Sequence, residues 1–513
     1  MHWKGESRFP VHFLVIAITN DLLLLKFNFM RKIALSFYAL LSLSFFAVHA
    51  QNKLTTEQQA VITDLIKKQD HYGEVSKKIW DLAEVGYQEY KSSDILKEEL
   101  RKEGFTVEDN AAGIPTAFVA VYGKGKPVIS ILAEYDALPG MAQEAVPERK
   151  VIAGQRAGHA CGHHLFGTAS TAAAIAVKDW IKKNGKTGTI KLMGCPAEEG
   201  GSGKVYMVRE GIFKDSDVVL HWHPSDRNVA NPNSALANIS AKFRFHGIAA
   251  HAAAAPERGR SGLDGVEAMD NMVNMMREHV PQDTRIHYVI TRGGEAPNVV
   301  PAFAEVYYYA RHLDRNILVG VWDRIMKAAE GAAMGTGTKL EVEVIGGTYN
   351  LLPIESLSKA MYKNLALVGG LKYSPEEIAF SEKIIATFPA SGSKPKYTEA
   401  ESVVPFSTAI EPMGGSTDVG DVSWAVPTVG MGAATWVPGT AAHSWQAVAA
   451  GGTDIGRKGM MVAAKTIALT AIDLFKDPAL VEKAHADWLK ARGADFKYEA
   501  LLGKRKPALD YRN

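Results

Sequence analysis

Only two cysteines, Cys161 and Cys195, occur in 513 residues. That excludes a disulfide-built scaffold, although a single bridge between the two stays open. There is no excess of charge of either sign: 58 Lys and Arg stand against 56 Asp and Glu, for a net charge of +2. No basic tract interleaved with aromatics breaks that balance, so neither nucleic acid nor an anionic membrane surface is an expected partner. No segment repeats at intervals of roughly 20–50 residues, which argues against solenoids and propellers. The apolar run Ile33–Val48 is shorter than the about 20 residues that a membrane-spanning helix needs.

That run has another use. It follows Met30-Arg31-Lys32 and precedes His49-Ala50. A charged start, an apolar centre and small residues at Val48 and Ala50 make a secretory leader that begins at Met30 and is cut after Ala50. Residues 1–29 are then an over-extended translation start. The expected mature protein is exported, periplasmic or secreted, with no stable membrane span. A leader retained as an anchor is the alternative.

The remaining chain has the composition of a globular protein, 47% hydrophobic and 22% charged, and its length implies two domains or more. Residues 55–100 carry a helical pattern. Phe118–Tyr122 reads as a strand, and Val128–Ala133 as a buried parallel strand because its apolar run is nearly continuous. Thr189–Gly194 and Asp217–Leu220 are further strands, with a helix at about 165–183 between. Chemistry-bearing residues follow these strands: Asp136, then Glu198 and Glu199, then His221 and His223. Open α/β sheets place their sites at such strand ends, so the repetition argues for one shared site. From 238 to 347 the pattern becomes strand-helix-strand-strand-helix-strand, the split βαβ plan. The expected organisation is a leader (1–50), a catalytic domain in two parts (51–237 and 348–475), an inserted α+β domain (238–347) and a helical, charged tail (476–513). Residues 385–405 are expected to be a loop.

The densest chemistry lies in Gly158-His159-Ala160-Cys161-Gly162-His163-His164. Thiolate and imidazole are preferred ligands of zinc-like ions, and a glycine between Cys161 and His163 lets a loop aim both at one ion. Two other readings stay open at this point: a structural cysteine with solvent-facing histidines, or a cysteine nucleophile with a histidine base. His164, at a helix start, reads as an ordinary polar cap. Glu198-Glu199 precede a Gly-rich loop. Neighbouring side chains diverge, so one carboxylate is expected to bind an ion and the other to take a proton from water that the ion acidifies. His443 follows a Pro-Gly turn and reads either as a further ligand or as a hydrogen-bonded core residue; His251, in the inserted domain, reads either as a donor to a developing oxyanion or as a capping or core histidine.

Taken together these motifs resemble the M20 family of metallopeptidases and amidohydrolases. Glu134-Tyr135-Asp136-Ala137-Leu138-Pro139, His159–His163, Pro196–Gly201, His251-Ala252-Ala253 and Gly294–Pro301 occur in the family's order, over about residues 55–475. Ile248–Pro256, Ser416–Trp424 and His443–Gln446 look most like the aminobenzoyl-glutamate utilization protein B group. The resemblance implies an α/β fold: a mixed-sheet, zinc-peptidase-like catalytic domain and an inserted ferredoxin-like dimerisation and lid domain. It implies two divalent metal ions, zinc or manganese, on Cys161 (bridging), His163, Glu199, His223 and His443. His223 is preferred to His221 because it directly precedes Pro224. Glu198 matches the general base, and Asp136 the acid that orients a ligand. His251 and Asn298 match residues that reach substrate or oxyanion, often in the site of a neighbouring protomer. Many relatives carry His where this chain has Glu134, and Asp where it has His164. The implied activity is metal-dependent hydrolysis of N-acyl or N-aroyl amino acids, a p-aminobenzoyl-glutamate-like substrate leading, with Arg260 and Arg311 as candidate carboxylate clamps. A homodimer, or a pairing with a homologous second subunit, is expected. A dipeptidase or aminopeptidase on the same scaffold is the alternative, and a non-catalytic binding protein a more distant one.

Overall fold

The computed structural model describes residues 53–389, 394–412 and 414–512; the expected leader lies outside them. Among the described residues, no helix is long and apolar enough to cross a membrane.

Val128–Ala133 is buried along its whole length, and this explains its unbroken apolar sequence. It belongs to a six-stranded mixed sheet. In chain order the strands are β1 (Thr106–Asp109), β2 (Phe118–Lys124), β3 (Val128–Ala133), β4 (Gly188–Gly194), β5 (Val218–Ser225) and, after the inserted domain, β10 (Thr428–Ala434). Their spatial order is β1-β2-β4-β3-β5-β10. β3 pairs in parallel with β4 and β5, and β10 in parallel with β5, whereas β1, β2 and β4 pair antiparallel. The helices His163–Asn184 and Asp454–Lys476 pack on each other and on β3. Ala169, Ala172, Ala173 and Ala174 of the first are buried; small side chains let the helix lie close to its neighbours. That helix ends where Gly185 takes a left-handed conformation, a common helix stop.

The inserted sheet consists of β6 (Ala237–His246), β7 (Arg285–Arg292), β8 (Phe303–His312) and β9 (Lys339–Thr348), ordered β7-β8-β6-β9 with every pairing antiparallel. This is the ferredoxin-like arrangement. Ile239, Ala241, Phe243 and Phe245 alternate along β6 into a core shared with Val266, Met269 and Val273 of the helix Gly262–Met276 and Leu318, Val321 and Ile325 of the helix Arg315–Thr336. The period of two explains why the strand was readable.

Three expectations need correction. His221 and His223 lie inside β5, not beyond it, because the strand runs on to Ser225. The tail is helical only over Pro478–Arg492; residues 493–512 form turns and extended chain, held by contacts with both sheets' surroundings. The stretch 385–405 is not all loop: the helix Pro375–Ala386 reaches into it, and Tyr397–Glu401 form a short 3-10 turn.

Candidate metal centre

Three groups of ligand atoms converge at the ends of β3, β4 and β5. Cys161, Glu199 and His443 form one, Glu134, His163 and His223 a second, and His163, Glu198 and Glu199 a third; within each, the ligand atoms lie within 4.8 Å of one another. The third group shares Glu199 with the first and His163 with the second, so the groups form one continuous centre. The two cysteines are both free thiols, which removes the disulfide reading.

Local backbone explains the convergence. Gly162 has φ +74°, and a Cβ there would meet Pro224 at 2.8 Å; only glycine lets the Cys161 loop lie against the strand that carries His223. His163 then opens the helix His163–Asn184, fully buried. Ala160 O accepts from His443 N at 3.0 Å, tying the distant His443 loop to the cysteine. His443 itself sits at φ 59°, a strained conformation for a non-glycine residue.

Asp136 organises the middle of the site. Its Oδ1 lies 2.8 Å from His163 Nδ1, and its Oδ2 accepts from Glu199 N at 2.9 Å. One carboxylate thus fixes an imidazole and the peptide of the neighbouring acid, the arrangement that orients metal-binding histidines. His163 Nε2 faces Glu134 Oε2, 3.1 Å away. His223 Nε2 lies 3.3 Å from the same oxygen. Glu199 Oε1 lies 3.1 Å from His443 Nε2.

Two members of this centre were missed by sequence reasoning. Glu134 was visible only as part of a strand-end motif. Lys204 gave no signal at all, because a lysine in a helix start reads as surface. It is fully buried, with Nζ 2.6 Å from Glu134 Oε1 and 2.8 Å from Asp418 Oδ1. Burial alone would raise Glu134, but Lys204, then His223 and His163, hold its carboxyl well below the usual carboxylate range. Burial and then Glu134, Glu199 and Asp418 push Glu198 well above it. Burial disfavours the charged form of His163, yet Cys161, Asp136 and Glu134 carry its pKa well above the ordinary value. His443 is raised to about 10 by the neighbouring Cys161 and Glu199.

The expectation that Glu198 and Glu199 point apart fails here. Ala197 at φ 56° and Gly200 at φ 90° bend the loop, and each carboxylate offers an oxygen to the group that contains His163. His164 is no helix cap. It is buried, with Nε2 3.0 Å from Gly451 O, while His159 is buried against Ile79 O. Neither faces solvent, and burial lowers the pKa of both. His221 is buried against Gly430 and belongs to none of the ligand groups. His251 is exposed on the inserted domain, bridged to Val299 beside Asn298, and also lies outside those groups. Arg260 donates to Glu257 O and Gly259 O within its own loop. Arg311 stacks over Tyr309 at 5.3 Å.

The sequence of residues 131–468 matches the model of peptidase family M20/M25/M40. The chain belongs to this family. It is a hydrolase of amide bonds with the family's mixed α/β fold. It is 41% identical over 440 residues to a subunit of the p-aminobenzoyl-glutamate hydrolase of Escherichia coli K12, covering 81% of this chain and 91% of the relative. To the human Xaa-Arg dipeptidase it is 29% identical over 455 residues, covering 83% and 91%. Among solved structures, a dinuclear metal binding peptidase of family M20 from Bacillus subtilis superposes with a TM-score of 0.55 at 16% identity, covering 82% of this chain and 99% of that one.

Proposed function

We propose that this protein is a dinuclear, zinc- or manganese-dependent amidohydrolase that cleaves N-acyl and N-aroyl amino acids, with p-aminobenzoyl-glutamate-like amides as leading substrates. One observation carries the metal reading. His163 Nε2, Glu134 Oε2 and Glu199 Oε1 are buried and make no hydrogen bond among the described residues, although each faces another ligand atom at 3.1 Å. Buried groups of this kind are costly unless they are satisfied, and a cation between them satisfies them. Cys161, Glu199 and His443 would hold one ion, and Glu134, His163 and His223 the other. Bound there, divalent ions supply Lewis acidity that polarises an amide carbonyl and acidifies water.

The chain's own residues do the rest. Glu198, half-buried at the centre, takes the proton of the attacking water and returns it to the leaving amine as the C–N bond breaks, so that amide and water give carboxylate and amine. Asp136 keeps His163 in one tautomer. His251, outside the ligand groups, and Asn298 beside it on the inserted domain are proposed as donors from a second copy. Supporting such a copy, β7 is an edge strand with Val289 56% and Ile290 42% exposed, and Met275 on the neighbouring helix is 67% exposed. A homologous second subunit is the alternative partner, since the E. coli relative is named as a subunit. Arg260 and Arg311 are the proposed clamps for the substrate carboxylate. Export through the leader ending at Ala50 belongs to the same proposal.

The Xaa-Arg dipeptidase likeness favours a second reading, hydrolysis of free dipeptides. A panel of N-acetylated and N-aroylated amino acids and unblocked dipeptides separates the two. Glu198→Gln tests the mechanism: it should keep fold and metal content while losing roughly 10²–10⁴ in kcat. A metal-loaded Glu198→Gln protein with near-normal turnover refutes the assignment.

A further inference from the structure

The sequence left residues 476–513 without a role, and the structure supplies one for their last part. We propose that Tyr511 and Arg512 are positioning residues that fix the Glu199 peptide, and that the segment 498–512 links the inserted sheet to the metal centre. The proposal rests on reading Cys161, Glu199 and His443 as ligands.

The loop Pro196–Ser202 cannot set its own shape. Ala197, Gly200 and Ser202 all have left-handed φ, at 56°, 90° and 59°, and two of them are not glycine. Outside groups hold it. Ala197 N donates to Glu89 at 2.8 Å, Glu199 N donates to Asp136 at 2.9 Å, and Tyr87 OH donates to Gly201 O at 2.7 Å. The carbonyl of Glu199 receives two donors, Tyr511 OH at 3.0 Å and Arg512 Nη2 at 2.7 Å. The peptide N–H and carbonyl of Glu199 are therefore held from opposite ends, by Asp136 and by residues more than three hundred positions away. With its main chain fixed in this way, its carboxylate reaches His443. Arg512 has no carboxylate within ion-pair distance among the described residues; it donates to that carbonyl instead.

The same segment grips the catalytic domain, where Tyr498 OH donates to Asp421 at 2.7 Å, and the inserted domain. A Cβ on Gly347, in β9, would lie 2.8 Å from Leu501 Cβ, so the two chain segments are in tight contact. Arg505 donates to Val344 O and Ile345 O, each at 2.7 Å. Arg209, at the end of the helix that follows the Glu199 loop, donates to Gly503 O and Arg505 O at 3.1 and 2.6 Å. Gln88 Nε2 donates to Leu509 O at 3.0 Å. The segment thereby connects β9 with the carbonyl of Glu199.

The test uses the full chain with Tyr511→Phe, Arg512→Ala, the double variant and Arg512→Lys. Far-UV circular dichroism and urea midpoints report the fold; metal per chain across a chelator series reports affinity; kcat and KM are read on the amide panel. The double variant should keep wild-type dichroism and midpoint, release one of its two ions to chelator roughly 10–100-fold more readily, and lose kcat by a similar factor at little-changed KM. Arg512→Lys should recover part of both losses. Unchanged chelator resistance and kcat overturn the proposal, as does a loss that only tracks a lower urea midpoint. A wild-type chain that holds no metal fails the function reading instead, and that result is seen before any variant is compared.

Discussion

Lys204→Met exchanges a buried cation for an apolar side chain of similar length. In the wild type, Nζ stands 2.6 Å from Glu134 and 2.8 Å from Asp418. At an effective dielectric near 20, each contact is worth about 6 kcal/mol of gross attraction. Most of that offsets the desolvation of three buried charges, so the pair energies cannot simply be added. What decides the outcome is that the variant leaves two buried carboxylates without their cation. Removing one partner of a buried pair typically costs about 3–5 kcal/mol, which moves a urea midpoint by about 1 M in a protein of this size. The sign of the pH dependence follows. In the wild type Glu134 is depressed, so its contribution is present above the unfolded carboxylate pKa and is lost only as pH falls through its lower folded value. Without Lys204 the carboxyl rises above its unfolded value, and the variant weakens as pH rises. The deficit against wild type should therefore be larger at pH 8 than at pH 5, and Lys204→Met/Glu134→Gln should recover part of it. Urea denaturation of metal-free protein at the two pH values measures both. A deficit under about 1 kcal/mol, or one that grows toward acid, refutes the account of this triad.

Glu89 is buried under the same loop and raised to about 8 by burial and by Asp136. The native state keeps a proton that the unfolded chain releases near 4.5, so wild-type stability should fall as pH rises from about 4.5 through 8. Glu89→Gln should flatten that slope in urea titrations, and an unchanged slope refutes the cause. Dialysis against a strong chelator should abolish hydrolysis, and zinc or manganese should restore it; an ion at a hundred times its Kd should add about 2.7 kcal/mol to unfolding stability. Chelator-resistant activity that alkylation of Cys161 destroys would favour a cysteine nucleophile instead. Val289→Asp with Met275→Asp should yield a folded monomer by sedimentation, with activity lost if His251 acts across a dimer; a variant that still associates like wild type places the interface elsewhere.

What the sequence displayed and what it hid follow one physical division. Val128–Ala133 and Ile239–Phe245 were readable because burial on both faces, or on one, writes itself as a continuous or alternating apolar pattern. Cys161 with His163 and Glu198 with Glu199 stood out as candidates because rare, ligand-type side chains sit at tight local spacings, whereas His223 and His443 became candidates through the resemblance to a known family; the structure gathers all six into the candidate groups. Lys204 was hidden, since a charge neutralised by partners 70 and 214 positions away leaves no local trace. Tyr511 and Arg512 were hidden for the same reason: they act on a main-chain carbonyl, and any residue has one. The expectation of divergent glutamates failed because it assumed ordinary backbone, whereas Ala197 at φ 56° turns the loop so that both face His163. The candidate ligands include two short local pairs, whereas Lys204, Tyr511 and Arg512 reach them from far along the chain. A substitution scan confined to the recognisable motifs would overlook Lys204, Glu89, Tyr511 and Arg512, whose contacts hold Glu134 and the Glu199 loop.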